Sequence, residues 1–371
     1  MIRSMTIGLP LTEMSLSEID ARAKALLAKA SETLTPKAML PRTIRYTLPP
    51  TLLEGESDGV ILSQLRWVDE FARKTGVRWF CLPVDFVPDY PRHGRINAAL
   101  DSLVRFDRMF LNIIIASQQQ IAVNAAFDAA KLILDLSRKT NNGFDNFRVG
   151  VSCNCPANAP FFPFSRHEGS NVAFSFALET TQPVLEAIER CGNPHDVGVV
   201  RDVIVDTLTS HLAYIDSFGH ELAQKTGTEY RGLDASFAPF PSESVSVAAL
   251  IEKITGSDIG CHGSVFATAF LTDAIRTAVQ DSKATACGFN GVMFSVLEDT
   301  VLAAANNQRH INLDTLLSLS TVCACGLDMI PIPGISFPEE VAAVMLDVAA
   351  ISCAHNKPLG VRLLPIPNGN V

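Results

Sequence analysis

Short apolar runs alternate with longer amphipathic runs along almost the whole chain. Residues 3–8, 43–48, 78–86 and 109–116 read as the first four strands. The fourth, MFLNIIIA, is nearly continuous in its apolar character, which suits a strand buried on both faces of a parallel sheet. Helical spacing separates these runs. One helix follows Ser15 or Ser17 and extends to about Leu34, with Glu18 placed to complete a capping box. A second covers 60–74, with Gly76 as its C-cap. Helices over 96–106 and 119–138 complete the first half.

The second half repeats the rhythm. Strands are predicted over 146–154, 171–179, 229–238 and 288–296, a ninth within 322–334, and a tenth over 360–365. Helices are predicted over 182–190, 196–225, 244–254, 264–282, 298–306, 312–320 and 338–352. Residues 156–164 (PANAPFFPF) hold three prolines among apolar residues, so they read as a stiff loop that lines a pocket or covers a barrel mouth. About ten strands alternating with helices predict a parallel or mixed sheet with helices outside it. No polar linker divides the chain, so residues 1–371 are expected to form a single α/β domain.

Composition narrows the function. A net charge of -9 with scattered basic residues argues against nucleic acid or an anionic membrane surface as the main partner. The N-terminus lacks a long apolar stretch, so no signal peptide is expected, and no apolar run has the length of a membrane span. A cytoplasmic protein with reduced cysteines follows, the cysteine count of nine being odd. A homo-oligomer, most simply a homodimer, is expected from the frequency of such assemblies. Rossmann, HExxH and GxSxG signatures do not occur, which removes those enzyme classes.

Six stretches occur together in order: NCPANAPFFPFSRHEG (154–169), GLDASFAPFPSES (232–244), GCHGSVFATAFLTDAI (260–275), GFNGVMFSVLED (288–299), VCACGLDMIPIPG (322–334) and KPLGVRLLPIPNG (357–369). On these motifs the chain resembles domain-of-unknown-function family 711, also catalogued as an uncharacterised protein family. The resemblance covers essentially the whole chain. It implies a ten-stranded α/β barrel similar to pyruvate formate-lyase and ribonucleotide reductase, and it carries no settled reaction. One departure lies in the central motif, where Ala324 replaces a glycine and resists positive φ. Radical enzymes of the related fold carry an Arg-Val-x-Gly-aromatic signature near the C-terminus. Neither Gly360-Val361-Arg362-Leu363 nor Arg148-Val149-Gly150 matches it, so glycyl-radical chemistry is not expected.

Several residues are candidates for chemistry, each with a plain structural alternative. Cys323 and Cys325 would share one face of an extended segment. Thiolates are nucleophiles and soft metal ligands, and Cys153 and Cys155 repeat the spacing, so the four thiols could form a metal site. Buried packing is the alternative. Cys323 matches the motif of the resembled family and is the candidate nucleophile. Asp234 and Asp328 follow Gly-Leu at strand ends, where acids serve as general acid/base groups or ligands of a divalent metal. Capping is their alternative, as it is for Glu298 and Asp299. His262 and Gly263 open a helix in a run suited to an anion, or form a plain glycine-rich turn. Asn154 and Asn290 could hold a substrate oxygen or satisfy a turn. Arg362 could fork a substrate carboxylate or pair with a nearby acid. The expected function is a non-radical lyase, hydrolase or isomerase acting on a small polar or anionic metabolite, with no cofactor assigned beyond a possible divalent metal. The alternatives are a non-catalytic metal- or ligand-binding regulatory protein and a structural oligomer.

Overall fold

The apolar runs fold as strands of one mixed sheet in the computed structural model, which describes residues 2–51, 58–87, 94–191 and 196–367. The strands are β1 (Ile2–Gly8), β2 (Thr43–Thr47), β3 (Trp79–Asp85), β4 (Met109–Ser117), β5 (Gln120–Ile121), β6 (Val149–Cys153), β7 (Ala173–Leu178), β8 (Glu229–Asp234), β9 (Gly326–Pro333) and β10 (Leu359–Ile366). Their order across the sheet is β8-β7-β1-β2-β3-β4-β6-β10-β9, with the two-residue β5 folded back on β4. β1, β2, β3, β4 and β6 run parallel to one another. β7 and β10 join the flanks of that group antiparallel, and β8 and β9 lie parallel to them.

Helices fill the intervals as the amphipathic spacing predicts: α1 (Leu16–Leu34), α2 (Asp58–Thr75), α3 (Gly94–Arg105), α4 (Val123–Lys139), α5 (Thr181–Glu189), α6 (Val197–Thr226), α7 (Val247–Thr255), α8 (Ser264–Ser282), α9 (Thr300–Asn307), α10 (Leu313–Ser320) and α11 (Pro338–Ala354). The Ser15/Glu18 capping box opens α1. Gly76 takes φ +71 just after α2. One large apolar cluster runs from Ile2 on β1 to Leu363 on β10 and ties both halves together. Among the described residues, no helix is long and apolar enough to cross a membrane.

The expected strand at 288–296 is not a regular strand. Residues 286–295 touch β8 and its extension at isolated parallel bridges (Leu233 with Ala286, Phe237 with Val292) and reach β9 at one more (Ser295 with Asp328). Gly288 (φ +74) and Asn290 (φ +50) break the extended conformation. The reason is Asp234, at the end of β8. Its buried carboxylate accepts hydrogen bonds from the backbone N–H of Phe289 (2.7 Å), Asn290 (3.1 Å) and Ser236 (3.0 Å) and from the Ser236 hydroxyl (2.5 Å). The chain therefore wraps around the carboxylate where a ladder would have run. The strand count still reaches ten because Gln120–Ile121, expected as the start of a helix, pairs with β4, and α4 begins at Val123.

The proline-rich loop is internal. The hydroxyls of Ser4 and Thr6 on β1 donate to the Pro160 carbonyl at 3.4 and 2.8 Å. The Asn112 amide on β4 donates to the Ser165 carbonyl at 3.4 Å. Two glycines make room for it. A Cβ on Gly150 would lie 2.3 Å from Pro163, and one on Gly360 would lie 2.4 Å from Phe164. Side chains at either place would push the loop off the sheet. Asp299 is a buried clamp of the capping kind. It accepts from Val301 and Leu302 at the start of α9 and from Ser246, Val247 and Ala248 at the start of α7.

Replacing Asp234 by alanine strands four donors at once and is expected to lower stability by about 3 kcal/mol. Urea unfolding measures this, and an unchanged midpoint would remove Asp234 as the anchor of the 288–291 turn.

Candidate functional site

Alternation along each strand decides which side chains reach the interior face of the sheet. Thr43 and Arg45 are two apart on β2 and share that face. Arg3 reaches it from β1, Trp79 from β3, Phe110 from β4, Asp328 from β9 and Arg362 from β10. Together with Ser295 and Glu298 from the bridging segment they surround a cavity of about 270 Å³. Phe161, Phe164, Met293 and Cys325 belong to a separate small apolar cluster that lines its wall. Arg42, Arg78 and Phe240 complete the rim.

Arg362 is the centre of the polar network. Its Nε and Nη2 donate to the two oxygens of Asp328 at 2.6 and 2.7 Å, a bidentate fork. Its Nη1 donates to the Phe147 carbonyl at 3.2 Å, and its Nη2 lies 3.7 Å from Glu298. Burial alone would disfavour the Arg362 charge, but Asp328 and Glu298 overcome it and hold the guanidinium firmly protonated. The two acids respond in opposite directions. Burial pushes the Asp328 carboxyl above its ordinary range, against the pull of Arg362. Burial works on Glu298 as well, but Arg362, Arg3 and Arg45 together pull it below.

The fork is aimed by a β-bulge. Leu327 faces Val361 and Ile330 faces Leu363, so Asp328 and Met329 together oppose the single residue Arg362. Met329 takes φ +49 there. Bulges of this kind re-aim side chains at functional sites.

Three more guanidinium groups have carboxylate or aromatic partners. Arg3 donates to the Pro239 carbonyl at 2.7 Å and lies 3.9 Å from Glu298. Arg42 pairs with Glu179 at 2.9 Å and stacks 4.0 Å from the Phe240 ring centre. Arg78 lies 4.7 Å from the ring of Trp79. Arg45 differs. Its Nε donates to the Thr43 hydroxyl at 3.1 Å and its guanidinium rests 5.2 Å from the Phe162 ring, but among the described residues no carboxylate lies within salt-bridge distance of it.

The structure sorts the sequence candidates. Asp328, Glu298 and Arg362 converge, and Arg362 pairs with a nearby acid as one of its two readings has it. Asp234 does not line the cavity: its oxygens are engaged by Phe289 and Asn290 of the turn and by Ser236 of its own loop, and burial pushes its carboxyl up against those hydrogen bonds. Asn290 serves the same turn, accepting from Ala235 N–H and donating to the Cys287 carbonyl. Asn154 takes φ +54 and donates to the Ser352 hydroxyl at 2.9 Å, away from the cavity. His262 and Gly263 are exposed at the start of α8 and do not line the cavity.

The cysteines are rearranged as well. Residues 321–322 form a turn and 323–325 bends in place of an extended run, yet the two thiols stay within hydrogen-bonding reach of each other. Cys325 lines the cavity, whereas Cys323 is fully buried in the main core. A hydrogen bond from Cys325, helped by Lys357, lowers the Cys323 thiol to about 6 against the effect of burial. Lys357 is held behind it by the carbonyls of Ser320, Thr321 and Cys323. The four-thiol centre expected from Cys153, Cys155, Cys323 and Cys325 does not assemble. Among the described residues, no three His, Cys, Asp or Glu side chains come together as a metal-binding group. Ala324 keeps a negative φ, and the positive value in this motif falls at Gly326 (φ +84).

Sequence reasoning missed the other arginines. The available signal was their position: Arg3 and Arg45 sit inside strands whose neighbours are apolar, where a charged residue is rarely buried without a partner.

Arg362→Ala should cost about 3 kcal/mol, because it leaves a buried acid unpaired. The sign with pH is fixed. Without Arg362, burial and Glu298 raise the folded Asp328 value further above the unfolded one. Stability is then retained below the unfolded value and lost as pH rises through the folded one. The deficit measured by urea unfolding should be larger near pH ~7 than near pH ~4; a deficit that grows toward acid would contradict the pairing.

Comparison with known proteins agrees with the motif content. A UPF0210 protein of Pyrobaculum arsenaticum is 31% identical over 334 residues, covering 88% of this chain and 73% of the relative. The UPF0210 protein PAE3581 of Pyrobaculum aerophilum is 33% identical over 261 residues, and that match spans 70% of this chain and 57% of the relative. A UPF0210 protein of Pelotomaculum thermopropionicum is 26% identical over 384 residues, 98% of this chain and 85% of its own length. The family described as "Uncharacterised ACR (DUF711)" matches residues 1–371, and the chain belongs to it.

Proposed function

We propose that this protein is a non-radical enzyme, a lyase, hydrolase or isomerase, acting on a small anionic metabolite in the arginine-lined cavity. One observation carries the reading. Two carboxyl groups share one guanidinium in the cavity wall, and their environments displace them in opposite directions. Such a separation divides acid from base roles between neighbouring carboxyls. Asp328 is assigned proton transfer, Glu298 the permanently charged partner, and Arg362 the group that positions both. Cys325 is the thiol within reach of a ligand, with Cys323 behind it.

Two further features belong to this reading. Closure of the sheet into a ten-stranded barrel similar to pyruvate formate-lyase is supported by the bridges from 286–295 to both end strands. A reducing compartment, the cytoplasm, is supported by nine free cysteines. A non-catalytic, ligand-binding regulatory protein is the second reading. The observation that favours it is the bidentate clamp, which engages both oxygens of Asp328.

The test is incubation with a library of small anionic metabolites, with product detected by mass spectrometry. Any compound converted by the parent should be converted roughly 10²-fold or more slowly by Asp328→Asn. An unchanged rate in that variant would end the acid/base assignment. Stabilisation by a ligand with no product from any compound would favour the regulatory reading. Cys323→Ala and Cys325→Ala divide the thiol question: loss of turnover confined to Cys323→Ala would return the nucleophile to Cys323.

A further inference from the structure

Counting charge around the cavity shows an imbalance. Five guanidinium groups (Arg3, Arg42, Arg45, Arg78 and Arg362) face three carboxylates, those of Glu298 and Asp328 in the wall and Glu179 behind Arg42. Two positive charges remain over. They fall on Arg78, exposed at the rim beside Trp79, and on the half-buried Arg45, whose Nη1 and Nη2 make no hydrogen bond among the described residues while Nε is fixed by Thr43 and one face is covered by Phe162.

This is a pre-oriented fork with its two terminal nitrogens open to the cavity. Planar guanidinium forks match the oxygens of carboxylate and phosphate groups. Burial, together with Arg3, Arg362 and Arg78, brings Arg45 down to about 9, with Glu298 opposing. An unpaired guanidinium held among like charges is unfavourable in the empty protein, and an incoming anion relieves that repulsion.

We infer that the ligand of this cavity is a compact dianion, a phosphate monoester or a small dicarboxylate, and that Arg45 is its principal anchor. The inference deepens the proposed function by naming the substrate class, and it rests on that reading only in placing the ligand in this cavity. The cavity volume suits a small metabolite. The aromatic side chains Trp79, Phe110 and Phe162 leave an apolar surface beside the anion site for the uncharged part of the molecule.

The experiment is thermal unfolding of the whole chain titrated with inorganic phosphate, and separately with malonate, against sodium chloride at matched ionic strength. At least one of the two dianions should raise the melting temperature in a saturable way beyond the chloride control. A response to phosphate alone identifies the phosphate-ester class, and a response to malonate alone the dicarboxylate class. Arg45→Met should weaken the responding anion roughly tenfold or more, and should itself melt about 2 °C higher in its absence, since it removes a repelled charge. Arg45→Lys keeps the charge without the fork and should show a weakened response. If Arg45→Met does not fold, Arg45→Lys carries the test. Neither anion exceeding chloride, or either Arg45 variant responding as the parent does, would overturn the inference. The readout is equilibrium binding, so the two ideas fail separately. A dianion response without turnover sinks the enzymatic reading alone, and turnover without a dianion response sinks this one alone.

Discussion

A buried carboxylate met by hydrogen-bond donors holds the interior of this fold in place. Asp234 sits at the end of β8 in a fully buried position, and its oxygens are met by hydrogen-bond donors from its own loop and from the segment that crosses toward β9. Satisfying a buried acid with backbone N–H groups fixes the backbone that supplies them. Everything downstream inherits that position. Ser295 meets β9 beside Asp328, Glu298 enters the cavity, and Asp299 joins the starts of α7 and α9. Glu298 thus follows from a segment anchored by an acid outside the cavity lining, while Asp328 is held by the pairing of β9 with β10.

The lining of the cavity is not the one that stability alone would select. A fold that sought only to persist would fill this interior with aliphatic side chains. It instead gathers guanidinium groups from β1, β2 and β10 and from the residues just ahead of β2 and β3, and supports them with stacked rings and backbone carbonyls. The surrounding apolar core, whose main cluster runs from β1 to β10, supplies the stability that the polar lining does not.

Much of the fold was legible because periodicity is a local signal. The helices and nine of the strands lie within a few residues of where apolar spacing places them, and Ser15 with Glu18 gave a correct start for α1. The failures have physical causes. The run GFNGVMFSV looks like a strand by composition, but its glycines and Asn290 answer to a carboxylate 54 residues or more away in sequence, which no local pattern reveals. Asp328, Glu298 and Arg362 were identifiable as chemistry-bearing residues. That Arg362 would join the other two depended on the pairing of β9 with β10 and on the bulge between them. Extended backbone would put Cys323 and Cys325 on one face; a turn at 321–322 and bends at 323–325 replace it, and the thiols meet by a hydrogen bond instead. Arg45 passed unnoticed because its meaning lies in a missing partner, which is a property of three dimensions.

The bulge at Asp328 and Met329 has a consequence for how this site can evolve. Because strand side chains alternate, one extra residue acts as a parity switch: the inward positions before it and after it are counted on opposite beats. Deleting Met329 would remove the bulge and set Asp328 alone opposite Arg362, while Leu327 and Ile330 kept Val361 and Leu363 as partners and the faces of the remaining strand stayed as they are. Descent with substitutions can retune this site one residue at a time. A deletion at the bulge would instead change the aim of the Asp328–Arg362 fork in a single step while the rest of the wall kept its register.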